Sequence, residues 1–184
     1  MMITKAYKVR LYPTKAQQEL MIKTFGCTRF VYNKALHICQ ETYRAFKRPV
    51  FNDELSKMLT FWKSTEELCF LKEVDKFALQ NSLKDLKTAF ANMKGGSGYP
   101  NYKSRHDHHD SYRTQLTNHN ISIDDTYIKL PKLGHVRYRD KKTPHGKIRN
   151  VTISRTPAGR FYASVCVETD DIKTHGCKIR FSIL

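Results

Sequence analysis

A chain of 184 residues with 40% apolar content holds one ordinary domain or two small ones and can fill a real core, which excludes a disordered tail. Lysine and arginine number 33 against 17 aspartates and glutamates, giving a formal charge of +16 and a pI near 9.7, and such an excess points to a polyanionic partner or, more blandly, to a merely soluble basic protein. There is no run of 18 apolar residues and no basic amphipathic helix lacking a core face of its own, so a membrane is not the expected partner.

The opening "MMITKAYKVRLYP" carries no apolar signal-peptide core, and a cytoplasmic protein is expected. Ile3, Tyr7, Val9 and Leu11 alternate with Thr4, Lys8 and Arg10, the pattern of a strand with one wet face that ends at Pro13. Thr14 and Gln17 form a T-x-x-Q box that satisfies free amides at the start of a helix running to about Phe25. Gly26 is expected to break or bend this helix before a second stretch, "CTRFVYNKALHICQETYRAF". Two helices around a glycine suit a helix-turn-helix, although ordinary helical hairpins share the pattern. Lys47, Arg48 and Pro49 close the unit, and Asn52 or Asp53 is expected to cap a short helix carrying Leu55, Leu59 and Trp62. Ser64 with Glu67 offers another capping box ahead of "LCFLKEV".

The next helix, "EVDKFALQNSLKDLKTAFANM", aligns Leu79, Leu83, Leu86, Phe90 and Met93 in one apolar stripe at about 100° per residue. Lys76, Gln80, Lys84 and Lys87 fall nearly opposite, with Phe77 beside them and Asn81 just beyond. An aromatic ring there either packs on another element, such as the helix containing Trp62, or awaits a partner. Burying it with its own helix would drag Lys76 or Lys84 toward the core, which is costly unless they are paired or snorkel. Against duplex DNA the same residues are suited differently: Lys76 to a phosphate or a base acceptor, Gln80 and Asn81 to adenine edges, Phe77 to a wedge or thymine-methyl contact.

The glycines of "KGGSGYPNYKSR" stop the helix, and the pattern becomes β. "SYRTQLT", "NISID", "TYIKLPKLGHVRYR", "KIRNVTISRT" and "RFYASVCVET" read as five short strands separated by turns at Asp124-Asp125, Pro144-His145-Gly146 and Pro157-Ala158-Gly159. They can curl into a small barrel that the first strand joins. The expected fold is therefore α+β: a small OB-like barrel with an all-helical domain inserted after its first strand. The last segment, "DIKTHGCKIRFSIL", continues neither pattern.

Little here suits catalysis. Cys27, Cys39, Cys69, Cys166 and Cys177 contain no C-x-x-C pair and read as reduced core thiols. "RHDHHD" (His106, Asp107, His108, His109, Asp110) holds good metal ligands, but neighbours in one loop seldom converge on one ion, and a solvated polar loop is the alternative. Phosphate-loop, H-E-x-x-H and G-x-S-x-G signatures do not occur. Aromatic and basic residues do interleave, in "GYPNYKSR", "SYRTQ", "HVRYRDKK" and "GRFY", as required where cations meet phosphates and rings meet bases.

Taken in order, "KAYKVRLYPTKAQQELM", "GCTRFVYNKAL", "EVDKFALQNSLKDL", "GYPNYKSR", "SYRTQLTN", "IKLPKLGHVRYR" and "NVTISRTPAGRFYASVCVE" resemble the TnpB (OrfB) proteins, RNA-guided nucleases encoded by insertion sequences. The resemblance implies that residues 1–13 and 106–170 form a wedge barrel and that residues 14–105 form a recognition domain. It implies a guide RNA that pairs with double-stranded target DNA while the protein reads a short target-adjacent motif. By the same resemblance Lys76, Phe77, Gln80 and Asn81 contact that motif, with Ser56 on the preceding helix a weaker match. Lys8, Arg10, Arg113, Arg137 and Arg139 become candidates for RNA backbone contacts.

In the family, a RuvC-like nuclease domain with an Asp/Glu/Asp magnesium site and a zinc ribbon follows, whereas here residues 171–184 form a divergent tail. No catalytic residue, metal or cofactor is therefore expected in this chain, and a frameshift or early stop is the expected origin of the tail. A stand-alone DNA-binding regulator of the parent element and a non-functional remnant remain the alternatives. The oligomeric state is not legible.

Overall fold

The computed structural model describes residues 2–107, 110–139 and 146–170. The chain runs β1 (Met2–Tyr12), α1 (Lys15–Phe46), α2 (Asn52–Ser64), a 3-10 turn at Cys69–Lys72, α3 (Lys76–Lys94), β2 (Asp110–Gln115), β3 (Ser122–Ile123), β4 (Tyr127–Leu130), β5 (Gly134–Arg139), β6 (Lys147–Arg155) and β7 (Phe161–Asp170). It is an α+β fold, with the helices between the first strand and the rest of one antiparallel sheet, ordered β2-β6-β7-β1-β5-β4-β3. The first strand does join the later ones, and it lies within the sheet: β7 pairs along it from Met2 to Leu11, and β5 takes Arg10 to Tyr12. The sheet is curled, with β2 and β3 as its two ends.

Period-two alternation sends Val9, Leu11, Val136, Tyr138, Val151, Ile153, Ala163, Val165 and Val167 into one core, which Met21, Phe25 and Ala78 join from the helices. A second core lies among the helices, where Val31, Leu36, Leu55, Leu59, Trp62, Leu79, Leu83 and Leu86 pack together. Among the described residues no helix is long and apolar enough to cross a membrane.

The predicted capping box is present. Gln17 N donates to Thr14 Oγ1 at 3.4 Å, and Thr14 N donates to Gln17 Oε1 at 3.0 Å. Gln17 Nε2 also donates to the carbonyls of Leu133 and His135, at 3.1 and 2.9 Å, so one side chain starts the helix and ties it to the β4–β5 turn. The expected break at Gly26 is absent, because α1 continues through it for 32 residues. Buried Phe25 and Cys27 flank the glycine, and their packing outweighs its roughly 1 kcal/mol helix penalty.

Three further expectations change for local reasons. The cap of α2 is Phe51, whose N–H donates to Glu54 Oε2 at 2.8 Å, so neither Asn52 nor Asp53 serves. Ser64 ends α2 and donates to the Phe61 carbonyl at 2.6 Å, leaving no capping box with Glu67. The stretch read as one strand from Thr126 to Arg139 is a hairpin, since Pro131 cannot serve a central ladder and Lys132 and Gly134 take φ of 65° and 68° to turn the chain.

Among the cysteines, Cys27 and Cys39 are buried thiols as expected. Cys69 is exposed and Cys166 half-buried, so neither is a core residue, and Cys177 lies outside the described residues with the rest of 171–184.

Candidate nucleic-acid interface

The N-terminus of α3 is built by Asp75, whose Oδ1 accepts the Phe77 N–H at 3.0 Å. Phe77 is half-buried and belongs to neither core. It lines a groove of about 500 Å3 with Lys63, Leu71, Lys72, Asp75, Lys76, Thr117, Asn118, Asn120 and Lys132. The turns after β2 and β4 thus complete a surface begun by the helices. Lys76 Nζ stands 5.0 Å from the centre of the Phe77 ring, and four lysines face a single carboxylate, itself committed to the helix cap.

The five residues expected on the DNA side do not all meet there. Lys76 and Phe77 share the groove, and Gln80 is exposed one turn further along α3. Asn81 is buried at 1% exposure, and its Nδ2 donates at 2.7 Å to the Arg113 carbonyl on the outer edge of β2. Its work is to join helix to sheet. Ser56 sits half-buried on α2 and donates to the Asn52 carbonyl at 2.8 Å.

The residues expected on the RNA side do gather, on the sheet face opposite its core. Cross-strand register sets Lys8 against Ser164, Arg10 against both Tyr162 and Arg139, Tyr12 against Arg137, and Arg137 against Tyr127. Directly opposed residues share a face. Arg113 belongs to it through the row Arg113, Thr152, Ser164, Lys8, but its Nη2 is engaged by Asp85 at 2.9 Å. Among the described residues no ion pair engages Lys8, Arg10, Arg137 or Arg139. Instead the Arg10 guanidinium lies 5.0 Å from the Tyr12 ring centre and Lys8 Nζ 5.0 Å from that of Tyr162.

Sequence reasoning reached Tyr162 through the interleaved "GRFY" but missed Tyr12 and Tyr127 of this face and Lys63, Lys72 and Lys132 of the groove. Tyr12 follows Leu11 at the end of β1, and only the pairing of β1 with β5 and β7 shows what stands beside it.

Between α1, α3, β2 and the segment at 103–107 lies a polar cleft of about 320 Å3. Its wall contains a clamp, with Asp110 buried between Arg29 of α1 and Arg155 of β6. Arg155 reaches Asp110 Oδ2 through Nη2 at 2.5 Å and Nε at 3.0 Å. Burial pushes the Asp110 carboxyl up, but the hydrogen bonds and charges of the two arginines outweigh it and hold it below its ordinary value. Lys103 Nζ lies 4.2 Å from the centre of the Tyr32 ring, and burial pulls its pKa down against the opposing pull of Asp85. Asn33 holds this segment at both backbone atoms of Lys103, accepting from its N–H at 2.8 Å and donating to its carbonyl at 2.9 Å. Asp110 therefore serves the clamp, while His108 and His109 of the suggested metal cluster lie outside the described residues.

These features define a basic α+β protein with two separate cation-lined surfaces. Residues 1–48 match the OrfB family model described as a helix-turn-helix domain. A "Putative RNA-guided DNA endonuclease" of Streptomyces pristinaespiralis is 38% identical over 170 residues, covering 90% of this chain and 42% of that protein. The InsQ protein of Escherichia coli (strain K12), named in the same terms, is 32% identical over 169 residues, covering 90% of this chain and 41% of its own length. Virulence protein VsdF of Salmonella dublin is 32% identical over 114 residues, which are 55% of this chain and 94% of VsdF. The chain belongs to the TnpB (OrfB) family, and it spans about two fifths of the length of the two longer relatives.

Proposed function

We propose that this chain is the nucleic-acid-binding portion of a TnpB-like RNA-guided system. The α3 groove meets double-stranded DNA at a short target-adjacent motif, and the outer sheet face meets the guide RNA. Cleavage is assigned to the part of the longer relatives outside the matched stretch. The observation that carries the reading is Phe77, an aromatic ring withheld from both cores and set among four lysines. Lysines attract a backbone without reading it, whereas a ring in a groove responds to base shape, methyl groups and step flexibility. Lys76 and Gln80 flank the ring, Asn81 fixes α3 to β2 from behind, and Ser56 is bonded within α2.

Selection from a randomised duplex library tests this and identifies the motif in the same step. The purified chain should enrich a short common sequence, and Phe77→Ala should abolish the enrichment while retaining weak, salt-sensitive binding. No enrichment by the wild type, or the same motif recovered with Phe77→Ala, would remove the reading role.

A stand-alone DNA-binding regulator is the second reading. It is favoured by VsdF, nearly all of which this chain spans, showing a relative made of little more than the matched stretch. Duplex selection by protein freed of RNA distinguishes the two, since the regulator selects unaided.

A further inference from the structure

The outward face of the sheet carries more than cations. Tyr162 is opposite Arg10, Arg10 lies against the Tyr12 ring, Tyr12 is opposite Arg137, and Arg137 is opposite Tyr127. Lys8 over the Tyr162 ring extends this series at one end. At the other, His135 meets Tyr127 edge-on, with centroids 6.5 Å apart. The result is an alternating row of rings and cations crossing β7, β1, β5 and β4. Tyr12 and Tyr127 are 43% and 42% exposed, although cross-strand tyrosines on a sheet can lie flat and cover their neighbours.

The geometry points to a platform for single-stranded RNA, in which unpaired bases stack on Tyr162, Tyr12 and Tyr127 while the intervening arginines and Lys8 hold the phosphates. This deepens, and rests on, the reading that the sheet face meets RNA. A duplex keeps its base faces inside its own stack and could offer this face only phosphates. The tyrosines would then contribute nothing. An unpaired strand presents a π-face at every base. Tyr162 and Tyr12 stand on adjacent strands and Tyr12 and Tyr127 two strands apart, roughly 10 Å at about 4.8 Å per strand, a spacing that splayed bases can follow. Arginine suits the positions between rings because its planar guanidinium stacks as well as pairs with phosphate, which a lysine ammonium does not.

The bland account of the same tyrosines is that they shield arginine and lysine stems and stabilise the sheet. Leucine separates the two roles, since it keeps apolar cover and loses the π-face, while phenylalanine keeps both. The test uses the full chain, fluorescein-labelled oligoadenylate and a blunt RNA duplex with the same label, at one fixed low salt. Thermal melts establish that each variant is folded. Tyr12→Leu and Tyr127→Leu should each weaken oligoadenylate binding by about 5- to 150-fold and leave duplex binding unchanged. Tyr12→Phe should bind as the wild type, and Arg137→Ala should weaken both ligands. Leucine variants that retain oligoadenylate binding, or that lose both ligands equally, would overturn the platform. A wild type that binds the duplex but not oligoadenylate would also overturn it, leaving the underlying RNA reading in place. A wild type that binds neither would overturn that reading itself.

Discussion

The groove beside α3 and the outer face of the sheet both present positive charge, but they are made from different materials. The groove gathers Lys63, Lys72, Lys76 and Lys132 around a single phenylalanine, on segments drawn from helix ends and turns. The sheet face sets arginines against tyrosines in fixed register on four paired strands. Lysine is a compact charge on a flexible stem, suited to tracking phosphates wherever they fall, whereas arginine demands planarity. On the proposed reading, the groove would attract with one shape-sensitive probe and the face would stack repeatedly. The same net charge of +16 thus covers two differently built cationic surfaces.

The largest effect is expected where the helices are tied to the sheet that carries the second surface. Asp110 holds Arg29 of α1 and Arg155 of β6 together, and it is 7% exposed. Asp110→Ala would leave two partly buried guanidinium groups without their counter-ion. The expected cost is about 3 kcal/mol, the lower end for a broken buried pair because both arginines retain some access to water. Urea unfolding measures it. The pH dependence has a definite sign: because the folded carboxyl is held below its ordinary value, its stabilisation is complete above the normal carboxylate range and is lost as pH falls through the folded value. Acid unfolding of the wild type should accordingly steepen below about pH 4, and Asp110→Ala should lack that component.

A smaller effect sharpens the distinction between attraction and stacking. Lys72→Gln and Lys132→Gln each remove one groove cation that the helical pattern alone did not single out. Each should lower the salt slope of duplex binding by about 0.9 while leaving the preferred sequence unaltered. Oligoadenylate binding to the sheet face should be unaffected by either. Anisotropy titrations across a salt series provide the slopes, and a changed base preference would show that these lysines read as well as attract.

How much of the fold and the site is legible in the sequence follows from how local each feature is. The box of Thr14 and Gln17 lies within four residues, and both its hydrogen bonds form as expected. Strand alternation separated Val9 and Leu11 from Lys8 and Arg10, since period two needs only near neighbours. The long-range partners were not legible. Nothing in "YKVRLY" states that Tyr12 will stand opposite Arg137, a relation created by pairing across more than half the chain. Asn81 shows the opposite failure. Its place beside the polar stripe of α3 suggested a partner outside the protein, but β2 arrives at that helix flank and takes its amide. A helical wheel shows which residues point together, and it is silent on which neighbour they meet.

Gly26 carries the smallest effect and the most direct examination of the helical region. Its sequence context suits a turn between two helices, and the matched family description uses the same words, yet α1 passes through it unbroken. The backbone there has no positive φ, and an added Cβ would find nothing within 4 Å. In a continuous helix, alanine restricts the unfolded chain and favours the native conformation, so Gly26→Ala should stabilise by about 0.5–1 kcal/mol. For a chain of this size that is a rise in Tm of about 1–4 °C, measurable by calorimetry. A turn or a bend at residue 26 reverses the sign, because there alanine would oppose the conformation that glycine permits. A lower Tm would thus restore two helices in place of one, while a higher Tm would fix α1 as a single rod reaching from the β4–β5 turn, where Gln17 is bonded, to the far end of the helical core.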